Sequence, residues 1–248
     1  MTPRVPSQLI QKEPSERTRV QPLTRERVLA AALAIIDREG LAKLSMRRLG
    51  ADLGVDPMAV YHYLPNKAAL LDGLIDAVMI ELGVAPARES GQRLSDWVVE
   101  TYKHFWDQLV AHPNVLPIMD SRMITGEAAM LSAEQVLIEM ERAGIASGAA
   151  VQALTLITTV TIAVARTRAA REETARDPMQ VVARRAAIED LDPGRFARVR
   201  AGFIEAPVKD WWASLEFTLR SLVASLEQGN VPHMSMPAAT PESMNGRH

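Results

Sequence analysis

The chain has 248 residues, 48% of them hydrophobic and 23% charged, with a net charge of −2 and no cysteine. That is enough apolar material for one or two domains with a real core, and the lack of cysteine excludes disulfides and thiolate metal sites, which fits a reducing cytoplasm. The first 23 residues hold no apolar core of signal-peptide length. With Thr-rich 147–165 read as polar-interrupted, no stretch reaches the roughly 18 uncharged apolar residues of a spanning helix, so a cytoplasmic protein with no membrane insertion is expected.

Charge is unevenly placed. Residues 1–67 carry 11 Lys/Arg against 7 Asp/Glu, whereas the remainder carries 17 against 23. A basic front suits an anionic partner, although an asymmetry of this size also arises by chance.

Residues 1–23 are rich in Pro, Ser, Gln and Arg without periodicity and read as a disordered arm. Thr24 then caps a helix with apolar residues at Val28, Leu29, Ala32, Leu33, Ile35 and Ile36, stopped by Gly40. Ser45 caps a short second helix, Met46 to Leu53, closed by Gly54. Asp56-Pro57 opens a third, an N-cap followed by Pro at the first helical position, running to about Tyr63. Asn66 caps a fourth from Lys67 to about Leu82, and 83–91 is a loop. Helical patterns resume at about 94–111, 127–143, 147–175, 179–190 and 207–228. The stretch 190–206 reads as irregular and 230–248 as a disordered tail. No strand alternation and no repeat is visible, so the fold class is all-α.

Two short helices joined by "GVD" form a helix-turn-helix, whose second helix docks in the DNA major groove. Ala51 and Val55 are small enough for the close contact of such a turn. Leu49, Leu53, Val55 and Val60 are expected to pack on the first helix, which leaves Asp56, Pro57, Met58, Ala59, Tyr61, His62 and Tyr63 less committed to the core. Tyr61 and Tyr63 can give hydroxyls to phosphates, although either ring, Tyr63 above all, can instead be core. His62 can reach a base edge or a phosphate. Met58 and Ala59 can only touch a thymine methyl or fill space. Lys67, at a helix start, combines an ammonium with free N–H groups for one phosphate; otherwise it is a solvated lysine. Ser45 offers a hydroxyl or the adjacent N–H, Arg47 can read guanine or clamp phosphate, and Arg48 is expected to be solvated.

The stretch "TRERVLAAALAIIDREGLAKLSMRRLGADLGVDPMAVYHYLPNKAALLDGL", over about residues 24–74, resembles the tetracycline-repressor family of bacterial transcriptional regulators. The run "YHYLPNKAALL" is its most specific part. The resemblance implies a DNA-binding domain over 24–68 and a helical ligand-binding and dimerisation domain over 69–229. It also implies backbone contact by Lys67, DNA contact at the position of Arg47, a double-stranded DNA operator with two-fold symmetry, and release of a repressor by a ligand. A homodimer interface built by the helices at 147–175 and 207–228 follows from the same resemblance, with Leu219 and Leu222 as candidate contacts; burial of both faces inside one subunit is the alternative.

The stretch 94–123 gathers Trp97, Tyr102, His104, Phe105, Trp106, His112, Met119 and Met123, a mixture suited to a mostly apolar pocket. Trp97, Tyr102, Phe105 and Met119 are the candidate contacts to a small, largely apolar effector, although an aromatic stripe at helical spacing is often plain core. Thr155, Thr158, Thr159 and Thr161 can offer hydroxyls to a ligand or bond back to their own helix. No cofactor and no metal is implied. There is no Gly-rich phosphate loop and no metal-spaced His cluster, and the pairs Asp52/Asp56 and Asp72/Asp76 read as caps or solvated faces. An enzyme is therefore not expected. The alternative to a DNA-binding regulator is a helical enzyme or an interaction module without DNA binding.

Overall fold

The computed structural model describes residues 22–119, 121–122, 124–205 and 210–229. The arm to residue 21, the tail from 230 and Met123 lie outside them. The described residues form eleven α-helices and no strand.

Helices α1 (Arg25–Glu39), α2 (Met46–Leu53) and α3 (Pro57–Tyr63) make the head. Each begins where a side chain accepts from a free backbone N–H: Thr24 from Arg27, Ser45 from Arg48 and Asp56 from Met58. Such caps are each worth about 1 kcal/mol. Val28, Leu29, Ala32, Leu33, Ile35 and Ile36 of α1 are buried on one face, and Leu49, Val60 and Leu64 close on it. Leu53 and Val55 pack partly buried against the same core.

The close contact of the turn falls at Gly50, not at Ala51, which is exposed. Val55 N–H donates to Gly50 O at 2.9 Å. A Cβ at position 50 would stand 3.0 Å from Val55 O and 3.2 Å from Pro57 Cα, both backbone atoms that cannot swing aside.

Helix α4 (Lys67–Leu82), capped by Asn66, carries the chain from the head into the body. The body contains α5 (Leu94–Ala111), the short α6 (Leu116–Met119) after a 3-10 turn at Pro113–Val115, α7 (Glu127–Arg142), α8 (Ser147–Ala175), α9 (Pro178–Glu189), α10 (Ala197–Glu205) and α11 (Trp211–Glu227). Helix α5 packs on α8 and α11, and α7 bridges α4 and α8. Helices α9 and α10 pack on each other, and α9 rests on α8. The stretch 190–206 is thus only partly irregular, since α10 occupies 197–205.

The loop from Gly83 to Arg93 is tied down from within. Arg88 reaches Glu139 at 3.3 Å, and Arg142 and Gln135 complete the bonds to that buried carboxylate. A buried charge with this set of partners is tolerated, whereas removing one partner leaves it uncompensated.

Helix α8 corrects the sequence expectation of a polar-interrupted segment: by length and composition it holds a window apolar enough to cross a membrane. In the structure it packs against α5, α7 and α11. Several of its threonines bond back one turn, as Thr155 does to Val151 O and buried Thr161 to Ile157 O.

Replacing Gly50 with Ala adds about 1 kcal/mol of helix propensity, yet it forces backbone apart at a contact that overpacking penalises by about 1–3 kcal/mol. G50A is expected to lower the melting temperature, whereas G148A, where a Cβ meets nothing within 4 Å, should not. Thermal denaturation followed by circular dichroism checks the pair.

Candidate nucleic-acid interface and regulatory cavity

On α3, Met58, Tyr61 and His62 are exposed and share one face at i, i+3 and i+4 spacing. Met58 is 72% exposed, which is unusual for so apolar a side chain in a packed head. Asp56 and Ser45 spend their side chains as caps, and Pro57 and Ala59 are half-buried beside them.

Tyr63 departs from the others. It is half-buried, its hydroxyl donates to Leu23 O at 2.6 Å, and its ring meets His62 edge-on at 5.3 Å. It anchors the chain entering α1.

The cations of the head fall into two sets. Arg48 is exposed, as expected, and also pairs with Glu39 at 2.7 Å and lies 3.7 Å from Asp52, which Arg38 also approaches. Arg25 pairs with Asp76 of α4. Arg47, Lys43 and Lys67 are exposed and have no carboxylate partner among the described residues. Arg47 lies in the first turn of α2 and Lys67 opens α4, so both uncompensated charges stand at helix N-termini. That combination of side-chain charge and free N–H groups favours phosphate.

The body holds a half-open cavity of about 490 Å³ between α4, α5, α6, α7 and α8. Of the four candidate contacts, Tyr102, Phe105 and Met119 line it, and Trp97 does not. Trp97 is buried core, with its indole N–H donating to Pro86 O at 3.1 Å, so it holds the 83–93 loop against α5. His104, Thr155, Thr158 and Thr159 also face the cavity; Thr161 does not. Tyr102 and Thr158 share a hydrogen bond of 2.9 Å. Burial pushes the Tyr102 phenol up to about 12, the Thr158 bond opposing this, so it acts as a neutral hydroxyl. The Thr101 hydroxyl on the same wall is buried without a protein partner.

Two further parts of the wall were not among the named contacts: Arg122, inside the 94–123 stretch, and α7, whose Ser132 ties the loop by accepting from Ala85 N–H and donating to Gly83 O. No spacing rule points to either. Asp72 and Asp76, read as a solvated face, are held by Arg122 and Arg25. His112 points away from the cavity, to Asp37 of α1 at 2.7 Å and Glu81 of α4 at 3.1 Å. Among the described residues no cluster of three or more His, Asp or Glu is placed to hold a metal.

A helix-turn-helix head thus continues through α4 into a helical body that holds a cavity. Residues 28–74 match the family model of bacterial regulatory proteins of the tetR family, and 85–229 match the tetracyclin repressor-like C-terminal domain. The chain belongs to the tetracycline-repressor family.

The HTH-type transcriptional repressor DrrR1 of Streptomyces coeruleorubidus is 33% identical over 160 residues, 62% of this chain and 57% of that protein. The chain thus matches less than two thirds of the length of the first curated relatives. Apo ActR from Streptomyces coelicolor superposes with a TM-score of 0.72 at 26% identity, covering 84% of this chain and 97% of that one. ActR in complex with actinorhodin gives a TM-score of 0.71 at 27% identity, covering 84% and 99%.

Tyr63→Phe removes one hydrogen bond and is expected to cost about 1 kcal/mol of stability. Because that hydroxyl is engaged by Leu23, the salt dependence of DNA binding should stay unchanged. Chemical denaturation and salt-titrated DNA binding of the same variant test both statements, and a shallower salt slope would return Tyr63 to the phosphate contacts.

Proposed function

We propose that the protein is a cytoplasmic, homodimeric transcriptional repressor that binds a two-fold symmetric operator and leaves it when a small, largely apolar effector fills the body cavity. One observation carries the reading: a single helix, α4, starts at the uncompensated Lys67 of the head and ends at Met79 and Leu82 in the cavity wall. Occupancy of the cavity and placement of the head are thereby linked. The complex of ActR with actinorhodin supports a small organic effector for the corresponding domain here. Family membership disfavours the helical enzyme or interaction module as an alternative.

The DNA-facing set comprises Arg47, Met58, Tyr61, His62 and Lys67, with Ser45 and Asp56 shaping the two helix starts and Pro57 and Ala59 supporting the face. Mapping the DNA retained by the purified protein tests the reading; failure to retain any duplex in a salt-sensitive manner would overturn it. Lys67→Ala should weaken binding across sequences and lower the salt slope by about one unit. Arg47→Ala should cost about 1–3 kcal/mol on the operator if the guanidinium reads a base, and equal losses on operator and random DNA would make it a positioning contact.

For the dimer, the burial pattern moves the contact residues. Leu219 is core within the subunit and Leu222 is half-buried, so neither offers a free face. The outward side of α11 presents Phe217 at 74% exposure among Ala213, Ser214 and Ser221, and α8 presents Leu156 at 54%. Two heads on one operator must stand about 34–36 Å apart, which needs a fixed partner. Phe217→Glu puts an unpaired charge into that contact without disturbing the subunit core. Light scattering should show a folded monomer with weakened DNA binding; a native-sized dimer would exclude this face.

A further inference from the structure

We propose that the effector carries an anionic group, and that this group acts by taking Arg122 away from Asp72. The inference rests on the ligand-responsive reading above and specifies the chemistry of the same cavity.

Among the described residues lining the cavity, Arg122 is the one permanent charge and none is Asp or Glu. The remaining polar groups there are the His104 ring and hydroxyls of Tyr102, Ser132 and threonines. A neutral ligand offers the guanidinium no new partner, whereas an acid offers it a second carboxylate or comparable anion from inside the cavity. Arg122 instead pairs with Asp72, which lies outside the cavity on α4. The Asp72 side chain is 55% exposed, against 26% for Arg122. A half-solvated carboxylate holds its partner weakly. An anion delivered into the cavity, with an apolar body packed on buried Phe105 and Met119, competes for the guanidinium from its less exposed side.

The exchange has a mechanical consequence. Asp72 lies in the second turn of α4, next to the head. The segment after Arg122 is pressed on the same helix, because a Cβ at Gly126 would come within 2.1 Å of Asp76 Oδ1. Losing the Arg122–Asp72 bond therefore removes the ion pair that ties the head-side half of α4 to the cavity wall and leaves the close packing at Gly126 as the neighbouring contact. A neutral ligand of equal size fills the cavity and leaves that bond in place.

Two dyes with one ring system separate the cases: 1-anilinonaphthalene-8-sulfonate and N-phenyl-1-naphthylamine, which lacks the sulfonate. Fluorescence titrations use the full chain, and only signal removed by the cavity-filling Ala133→Trp is counted. The sulfonate is expected to bind more tightly than the neutral dye. Arg122→Gln should weaken the sulfonate about tenfold, the scale of a charged hydrogen bond, and leave the neutral dye unchanged. Asp72→Asn should strengthen the sulfonate about two- to fivefold by removing its competitor. If Arg122→Gln shifts both dyes alike or neither, there is no anion site. If Asp72→Asn leaves the sulfonate unchanged, the exchange is refuted. On DNA mapped as above, the sulfonate should lower affinity and the neutral dye should not. A chain that retains no DNA but shows the dye pattern would sink the repressor reading and leave the anion site standing.

Discussion

Helix α4 belongs to two cores at once, and the rest of the structure depends on that constraint. Leu70, Leu74 and Gly73 on its first half face α1, where a Cβ at position 73 would overlap Leu29 Cδ2 at 2.5 Å. Val78 and Met79 on its second half are buried in the body, and Met79 forms cavity wall. A head of three short helices has too little core to stand alone. It borrows the apolar side of α4, so it cannot be uncoupled from the helix that the body holds. Sixteen residues make a rod of about 24 Å, and a small displacement at one end of a rod reappears at the other.

Further links span the same gap. His112, at the end of α5, bonds Asp37 of α1 through Nδ1 and Glu81 of α4 through Nε2. Carboxylates only accept, so the ring serves both at once when both of its N–H groups are present. Two residues on, Asn114 donates to Ile36 O at 2.8 Å, a carbonyl in the last turn of α1. Gly40 N–H takes the same oxygen. The turn leading into α6 is thereby fastened to the head, and Met119 at the far end of α6 lines the cavity. The head is tied to the cavity through α4 and through α6.

What sequence alone conveyed and what it missed divide along a physical line. Helix starts at Thr24, Ser45, Asp56 and Asn66 were legible because a cap is a local event, settled within three residues. The apolar stripe of α1 was legible for the same reason. Helix α10 was missed because it buries little: Val199 and Phe203 point outward, so no periodic core face announces it. Trp97 looked like a pocket residue because composition cannot tell a ring that faces a void from one whose N–H is committed to Pro86 O. Gly50 and Ala51 are both small neighbours, and only the path of the turn decides which one meets Pro57. Arg122 and Asp72 are 50 residues apart in the chain, and no spacing argument reaches across that distance.

The links between head and body share one energetic property. Arg122–Asp72, Arg25–Asp76 and His112 with its two carboxylates all leave at least one member substantially solvated. Pairs of this kind are worth about 0–1 kcal/mol each. Together they hold the head by a few kcal/mol at most, the same order as the 1–3 kcal/mol by which an effector typically changes the affinity of a distant site. Buried apolar contacts of α4 in each half, at about 1.5–3 kcal/mol for every fully covered Leu or Ile, are far harder to break. The protein therefore keeps its strong interactions within each half and its weak ones between them. On the proposed ligand-released reading, an effector with modest preference between two arrangements would shift the head without unfolding anything, because the bonds it would exchange are the ones water already half-competes for.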